Sequence, residues 1–347
     1  MGVKAIVQER YGFPGGLRVR EVDRPAVGDD EVLVRVRAAS VHPDVWHVVT
    51  GRPFVLRLMG SGLRRPKPPI PGTDVAGVVE AIGGAVSRFR SGDEVFGETM
   101  RGFSWRNGGA FAEYVSVPQD VLAVKPTNVT FEQAAAVPTA GYIALLNVPP
   151  ARLRPGRRVL VNGAAGGVGT LVVQVAKAHG AHVTAVDHTG KLDLVRSLGA
   201  DEVLDYTRED FTRHPDRYDL IVDIPGNHPF SAIRRAPAAD GAYVLIGHDN
   251  YGQTGRRLLG SLPKFGGLAL RSLFSSQLRP GGPGQSRMGK PEAIKALRGY
   301  LEAGQITPVI DRTFPLAEAG EAIRYLAEGK PVGRVVLLIN TPAVSDH

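Results

Sequence analysis

From Val3 to Val124, apolar and polar positions alternate in short runs such as EVLVRVRAASV and DVAGVVEAIG, broken by turns at FPGG, PGTD and SGDE. A period of two bounded by Gly and Pro predicts the strands of an antiparallel, barrel-like domain. Only the segment after Pro43 has a helical look there. At Thr130 the texture changes. FEQAAAVPTAGYIALLNV sets apolar residues at helical spacing among alanines of high helix propensity, so a new domain is expected to begin nearby.

Beyond it the pattern alternates strand and helix. RRVLVNG leads into a glycine-rich turn and a helix from about Val168 to His179. AHVTAVD, a helix from about Lys191 to Leu198, and strands near EVLDY, YDLIVDI and AYVLIG come next. Such alternation implies parallel βαβ units with right-handed crossovers, hence a doubly wound α/β sheet. LALRSLFSSQL reads equally as strand or helix. KPEAIKALRGYLEAG is a helix, and GRVVLLI is the last strand.

Composition narrows the chemistry. At 347 residues the chain has room for two cores. A hydrophobic share of 43% with 22% charged is that of an ordinary globular protein. The absence of cysteine excludes disulfides, thiolate zinc sites and a cysteine nucleophile. The longest apolar stretch, Val159 to Val186, is broken by glycines and polar residues, so no membrane span is expected. MGVKAIVQERYG has no apolar signal core, and a cytoplasmic protein is expected. The net charge of +8 gathers locally at Arg52 to Lys67 and Arg256 to Lys290. With no RNA-binding motif beside them, these clusters read as solvated faces or an attraction for a phosphorylated cofactor, and neither nucleic acid nor membrane is an expected partner.

Two stretches carry candidate chemistry. NGAAGGVGT follows a buried strand and opens a helix. Ala164, Gly166 and Gly169 stand at the small positions of a dinucleotide fingerprint, and Ala165, Gly166, Gly167, Val168 and Gly169 form the expected phosphate cradle. A side chain at Gly166 would hold off a pyrophosphate, and one at Gly169 would pry helix from strand. Asp187 ends the next strand 18 residues on (169 to 187), where an acid meets ribose hydroxyls and favours NAD; it also suits a turn. His188 and Lys191 beside it suit a 2′-phosphate and so NADP. The second stretch, VHPDVWH, places His42, Asp44 and His47 around Trp46. His42 and Asp44 are the candidate catalytic groups and Trp46 and His47 the candidate substrate pocket, while a loop-shaping His42 and a core Trp46 are the plainer readings.

The order PGTDVAGVVEAIG, GDEVFG, GAFAEYVSVP, FEQAAAVPTAGY, GAAGGVG and GRVVLL resembles the medium-chain dehydrogenase/reductase superfamily, in its zinc-free quinone oxidoreductase branch. The resemblance covers nearly the whole chain. It implies a GroES-like β-rich domain over 1–126, completed by 288–347, and a Rossmann domain over 127–287. It further implies NAD(P)H as cofactor, tilted towards NADP, a cleft where hydride passes to a quinone or enone, and a homodimer paired through the Rossmann sheet edge. By similarity Thr139, Tyr206, Gly247, Phe274, Ser275 and Arg334 join the cofactor site.

Zinc-dependent members place a cysteine where Val41 stands and a histidine where Thr73 stands, so no metal is expected here. Without a Lewis acid, charge developing on a substrate oxygen must be met by hydrogen-bond donors. That favours acceptors whose conjugation spreads the charge. Relatives read Asn-Pro-x-Asp where this chain has His42, Pro43, Asp44 and Val45, so the acid stands one place early. Two other readings remain beside the reductase: a zinc-free alcohol dehydrogenase or ketoreductase of a biosynthetic pathway, and a non-catalytic cofactor-binding protein that binds nucleic acid or protein.

Overall fold

The computed structural model describes residues 2–102, 106–148, 153–247, 258–260, 262–273, 275, 277 and 288–339. Strands β1 (Gly2–Val7), β2 (Arg18–Asp23) and β3 (Glu31–Val41) lead into helix α1 (Pro43–Thr50); β4 (Asp74–Ile82), β5 (Glu94–Glu98), β6 (Tyr114–Pro118) and β7 (Leu122–Val124) follow. Helices α2 (Phe131–Ala135) and α3 (Pro138–Asn147) precede β8 (Arg158–Asn162), α4 (Gly167–Ala178), β9 (His182–Asp187), α5 (Leu192–Ser197) and β10 (Glu202–Asp205). Next come β11 (Tyr218–Asp223), α6 (Phe230–Ile233), β12 (Pro237–Leu245) and α7 (Leu262–Ser272). The last elements are α8 (Lys290–Glu302), β13 (Ile310–Pro315), α9 (Ala319–Ala327) and β14 (Arg334–Leu338).

Contacts divide the chain into two compact units, Met1–Thr139 with Gly289–Glu302 and Pro308–His347, and Ala140–Met288 with Ala303–Thr307. The expected seam at 126/127 falls earlier than this division, because α2 packs on β3 and β4 of the first unit. A capping box starts that helix: Thr130 Oγ1 accepts from Gln133 N at 3.2 Å, and Gln133 Oε1 accepts from Thr130 N at 3.0 Å. Residues 303–307 belong with the second unit, where Thr307 N donates to Gln174 Oε1 at 2.7 Å and Gln174 Nε2 donates back to Thr307 O at 3.1 Å.

The first unit is built on a seven-stranded sheet in the order β13-β14-β3-β4-β5-β7, with β6 also on β3. The alternation read from Val3 to Val124 yields antiparallel pairs throughout that stretch. The C-terminal strand β14 pairs antiparallel with β3, setting Val335 opposite Val41, but β13 lies parallel to β14, so the complete sheet is mixed. β3 is buried on both faces over Ala38 to Val41, which explains why its alternation fades into a continuous apolar run. α1 begins at Pro43, whose fixed φ suits the first helical position, and stops at Gly51 with φ of 63°.

The second unit is a parallel five-stranded sheet in the order β10-β9-β8-β11-β12. The strand order reverses on either side of β8, and the carboxyl ends of β8 and β11 mark the switch point where such sheets bind ligands. α4 lays Leu171, Val172, Val175 and Ala176 into the core, and burying each of the larger aliphatic side chains contributes about 1.5–3 kcal/mol. The ambiguous LALRSLFSSQL resolves in favour of helix over its first part, within α7.

Candidate functional site

In the second unit the chain leaves β8 at Asn162 and turns through Gly163, whose φ of 82° suits a glycine. Gly166 then caps α4 with φ of −77° and ψ of 170°. The two fingerprint glycines differ in why they lack side chains. A Cβ at Gly169 would lie 2.1 Å from Gly163 O and 2.7 Å from Ala164 Cα, so the helix rests directly on the turn. A Cβ at Gly166 would meet nothing nearer than Gly163 O at 3.4 Å, an ordinary contact. Its backbone is equally open to alanine. The fold requires glycine at 169 but leaves the space over 166 clear, as a pyrophosphate resting on the helix N-terminus needs. The turn therefore fits a dinucleotide.

Asp187, at the end of β9, is buried and holds this turn in place. Its Oδ2 accepts from Ala165 N and its Oδ1 from His188 N, both at 2.8 Å. His188 Nδ1 accepts from Gly190 N at 3.2 Å, and the ring meets Tyr206 edge-on at 5.9 Å between centroids. Tyr206 is half exposed, beyond β10, and Lys191 follows in the turn into α5. At the other side of the switch point, Asp223 is fully buried and accepts from Asn162 Nδ2 at 2.9 Å, Gly226 N at 2.8 Å and Tyr243 OH at 2.8 Å. Gly247 is needed by packing, since a Cβ there would lie 2.5 Å from Ile224 O. Of the FSS segment only Ser275, partly buried, is described; Phe274 and Ser276 lie outside the described residues.

The first unit holds a buried polar cluster. His42 Nε2 lies 2.8 Å from Thr73 Oγ1, and its Nδ1 is 3.8 Å from Asp44 Oδ2. With the ring proton on Nδ1 facing that carboxylate, Nε2 accepts from the Thr73 hydroxyl. Burial lowers the His42 pKa below the usual imidazole value, against the opposing pull of Asp74 and Asp44. The ring is neutral at physiological pH. Asp44 sits in the first turn of α1, where a carboxylate is favoured by the helix dipole. Fully buried Asp74 accepts from Ser40 Oγ at 2.7 Å, from Thr139 N at 3.2 Å and from the Thr139 hydroxyl. Opposite Asp74 on β5 stands Glu98, paired with Lys290 Nζ at 2.6 Å. Burial pushes the Glu98 carboxyl up to about 7, against the pull of the ammonium.

The structure thus joins Thr139 to Asp74 and His42 to Thr73. Trp46 and His47 are both buried; His47 Nδ1 lies 2.7 Å from Arg52 O, where its N–H tethers the end of α1, and the two rings pack edge to face at 5.1 Å. Arg334 is buried at the start of β14. Sequence reasoning missed Asp74, Glu98 and Lys290. One signal was available: Lys290 opens α8, where the helix dipole disfavours a cation, so its presence there called for a dedicated anion. Its remaining donors reach Met100 O at 3.0 Å and Gly102 O at 2.8 Å.

Residues 28–127 match the alcohol dehydrogenase GroES-like domain family, and residues 198–337 match the zinc-binding dehydrogenase family. The zinc in the second name does not fit this chain. Cysteine is absent, Val41 is a buried hydrocarbon, the Thr73 oxygen is engaged by His42, and no group of three or more His, Asp or Glu among the described residues is arranged to hold a metal. The 2-methylene-furan-3-one reductase of Solanum lycopersicum is 33% identical over 342 residues, covering 96% of this chain and 79% of the relative. The chloroplastic NADPH-dependent alkenal/one oxidoreductase of Arabidopsis thaliana is 33% identical over 344 residues, with the same coverage. Among solved structures, the quinone oxidoreductase from Coxiella burnetii superposes with a TM-score of 0.80 at 26% identity, over 98% of this chain and 100% of that one. Two domain families in the order GroES-like then dehydrogenase, a glycine turn shaped for a dinucleotide and relatives aligned almost end to end agree: the chain belongs to the medium-chain dehydrogenase/reductase superfamily.

Proposed function

We propose that this protein is an NADPH-dependent reductase of quinones and α,β-unsaturated carbonyl compounds. The observation that carries the cofactor half is the contrast between Gly166 and Gly169: one glycine is demanded by the chain's own packing, while the other meets no crowding within the chain and leaves room for a pyrophosphate. The acceptor half draws support from relatives that reduce an alkenal or enone, and from a structural neighbour that reduces a quinone. When bound, the nicotinamide supplies a hydride, which an enone takes at its β-carbon and a quinone takes into its conjugated system. The residual negative charge spreads over the conjugated acceptor, and a proton completes the reduction. Such acceptors suit a site whose metal-ligand positions carry Val41 and Thr73.

The preference for NADPH rests on Asp187. One of its carboxylate oxygens accepts from Ala165 N of the turn and the other accepts from the N–H of its own neighbour His188, which supports a structural duty for this side chain. His188 and Lys191 nearby supply groups suited to a 2′-phosphate. Asp187 keeps the glycine turn closed in this reading, Tyr206 offers its exposed ring to the adenine, and Thr139 and Arg334 serve the nicotinamide side. His42 acts as a neutral positioning group through Thr73, with the substrate proton drawn from water. We assign a homodimer and a cytoplasmic location to the same reading. β12 is an edge strand of the described five-stranded sheet, available for pairing.

Fluorescence titration with NADPH and NADH, followed by anaerobic turnover on a panel of quinones and enones, tests the proposal. Tighter binding of NADPH and oxidation by conjugated acceptors are expected. Tighter binding of NADH overturns the cofactor assignment; turnover of simple alcohols alone overturns the acceptor. Light scattering on the eluted protein tests the dimer, and a monomer mass refutes it.

A further inference from the structure

The basic cluster read from the sequence at Arg52 to Lys67 has a second property visible only in the structure. Leu58, Met59 and Leu63 stand 67%, 59% and 55% exposed within it, and Phe13 stands 75% exposed beside it. Large aliphatic side chains at the surface are ordinary singly, but a group of them marks a contact surface. The segment is held by hydrogen bonds and ring contacts to its own chain. Tyr11 OH reaches Ser61 O and Gly62 O at 2.6 Å each, Arg57 Nε donates to Gly51 O at 3.0 Å, and Lys67 N donates to Ser61 O at 3.0 Å. The Arg57 guanidinium lies over Tyr11 at 4.2 Å and over Phe54 at 5.3 Å, and that of Arg52 over Phe13 at 5.6 Å. Buried Leu56 pins the base of the wide helical turn Arg57–Ser61, while Leu58 and Met59 stay outside.

Charge selects the occupant. Between Asp44 and Asp74 the chain carries Arg52, Arg57, Arg64, Arg65 and Lys67 and not one acidic residue. A second copy of the same patch would set cations against cations. Nucleic acid suits the charge, and Phe13 and Phe54 are exposed rings, but the more exposed side chains within residues 54–67, Leu58, Met59 and Leu63, are aliphatic and offer no face for a base to stack on. An anionic bilayer surface satisfies both. Headgroup phosphates and carboxylates meet the guanidinium groups while leucine and methionine enter the boundary of the acyl chains.

We propose that the surface formed by Phe13 and residues 54–67 docks this protein reversibly on anionic lipid bilayers. This replaces the expectation of a merely solvated basic face, and it stands independently of the acceptor the enzyme reduces.

Cosedimentation with phosphatidylcholine vesicles, with and without phosphatidylserine, tests it on the full-length protein. Wild type is expected to pellet with the serine-containing vesicles, to stay soluble with pure phosphatidylcholine, and to be released by high salt. Arg64→Gln, Arg65→Gln and Lys67→Gln together should weaken partitioning on the order of 100-fold, about fivefold per cation. Leu58→Ser with Met59→Ser should weaken it on the order of tenfold, and melting temperatures of both variants should match wild type. Wild type that stays in the supernatant with every vesicle overturns the proposal without recourse to any variant. So does a Leu58/Met59 variant that pellets like wild type, which would mark the patch as a polyanion surface instead.

Discussion

Alanine at each of the two fingerprint glycines should have opposite consequences for stability and binding. At Gly169 the added Cβ falls 2.1 Å from Gly163 O, against the 3.4 Å at which ordinary contact begins, so α4 and the turn must part by more than an ångström. Overpacking of this kind costs about 1–3 kcal/mol. In a unit of this size each kcal/mol shifts the melting temperature by about 2–4 °C, so Gly169→Ala should lower it by roughly 3–10 °C. At Gly166 the added Cβ meets only an ordinary contact, and φ of −77° admits alanine without strain. Fewer unfolded conformations then stabilise the variant by about 0.4–1 kcal/mol, and its melting temperature should hold or rise slightly. Its affinity for NADPH should nonetheless fall on the order of tenfold or more, because the methyl group occupies the approach of the pyrophosphate. Differential scanning fluorimetry and cofactor fluorescence read the two effects separately. Wild-type NADPH affinity in a well-folded Gly166→Ala protein would refute the assignment of that space to the cofactor.

Three further outcomes follow from the buried cluster of the first unit. Thr139→Val removes the hydroxyl that donates to fully buried Asp74 and should cost about 1.5–3 kcal/mol, read as a lower urea midpoint. Glu98 is raised above its ordinary carboxyl value to about 7, so its contribution to stability is held at low pH and lost as pH rises through that value. Lys290→Met strands the carboxylate once it ionises and should cost about 3–5 kcal/mol at pH ~8.5, much less at pH ~5.5; equal losses at the two pH values would refute it. His42 is shifted the other way, so its contribution is present above the ordinary imidazole pKa of ~6.5 and is lost as pH falls below it. His42→Asn should therefore flatten the acid side of the stability curve while leaving the pH dependence of turnover unchanged between pH ~6 and ~8; a lost kinetic pKa would instead make His42 the proton donor.

What the sequence made legible was local. The glycine turn, the strand before it and the helix after it lie within a few residues of one another, and periodicity set α4 one residue from where it stands at either end. The antiparallel pattern up to Val124 was readable for the same reason: each strand announces its own buried face. The polar cluster was not readable. Asp74 finds Ser40 at a separation of 34 residues and Thr139 at 65, and nothing in PGTD says that its acid will be fully buried with three donors around it. Asp187 shows the limit in another form. Its offset from the glycines suggested ribose binding, while its hydrogen bonds tie it to Ala165 and His188. A side chain at the right distance along the chain for a ribose is also at the right distance in space for a backbone, and that second duty is invisible in the sequence.

The departure at His42 follows the same logic. An asparagine at that position presents a neutral amide with donor and acceptor; a neutral imidazole offers the same pair of roles on a larger ring. Placed beside Thr73 at 2.8 Å, the ring takes up the hydroxyl standing where zinc-dependent members carry a ligand histidine, and Val41 beside it completes a hydrocarbon pairing with Val335 of β14. The two positions thus serve the packing of the first unit, and the shifted acid, Asp44, serves the start of α1. Each substitution is answered by a neighbour already in contact with it. At His42 the loop presents a neutral ring already engaged by Thr73, with the carboxylate of Asp44 beside it; both disfavour bringing a charged alkoxide to rest there and accord with the proposed acceptors, which delocalise their own charge.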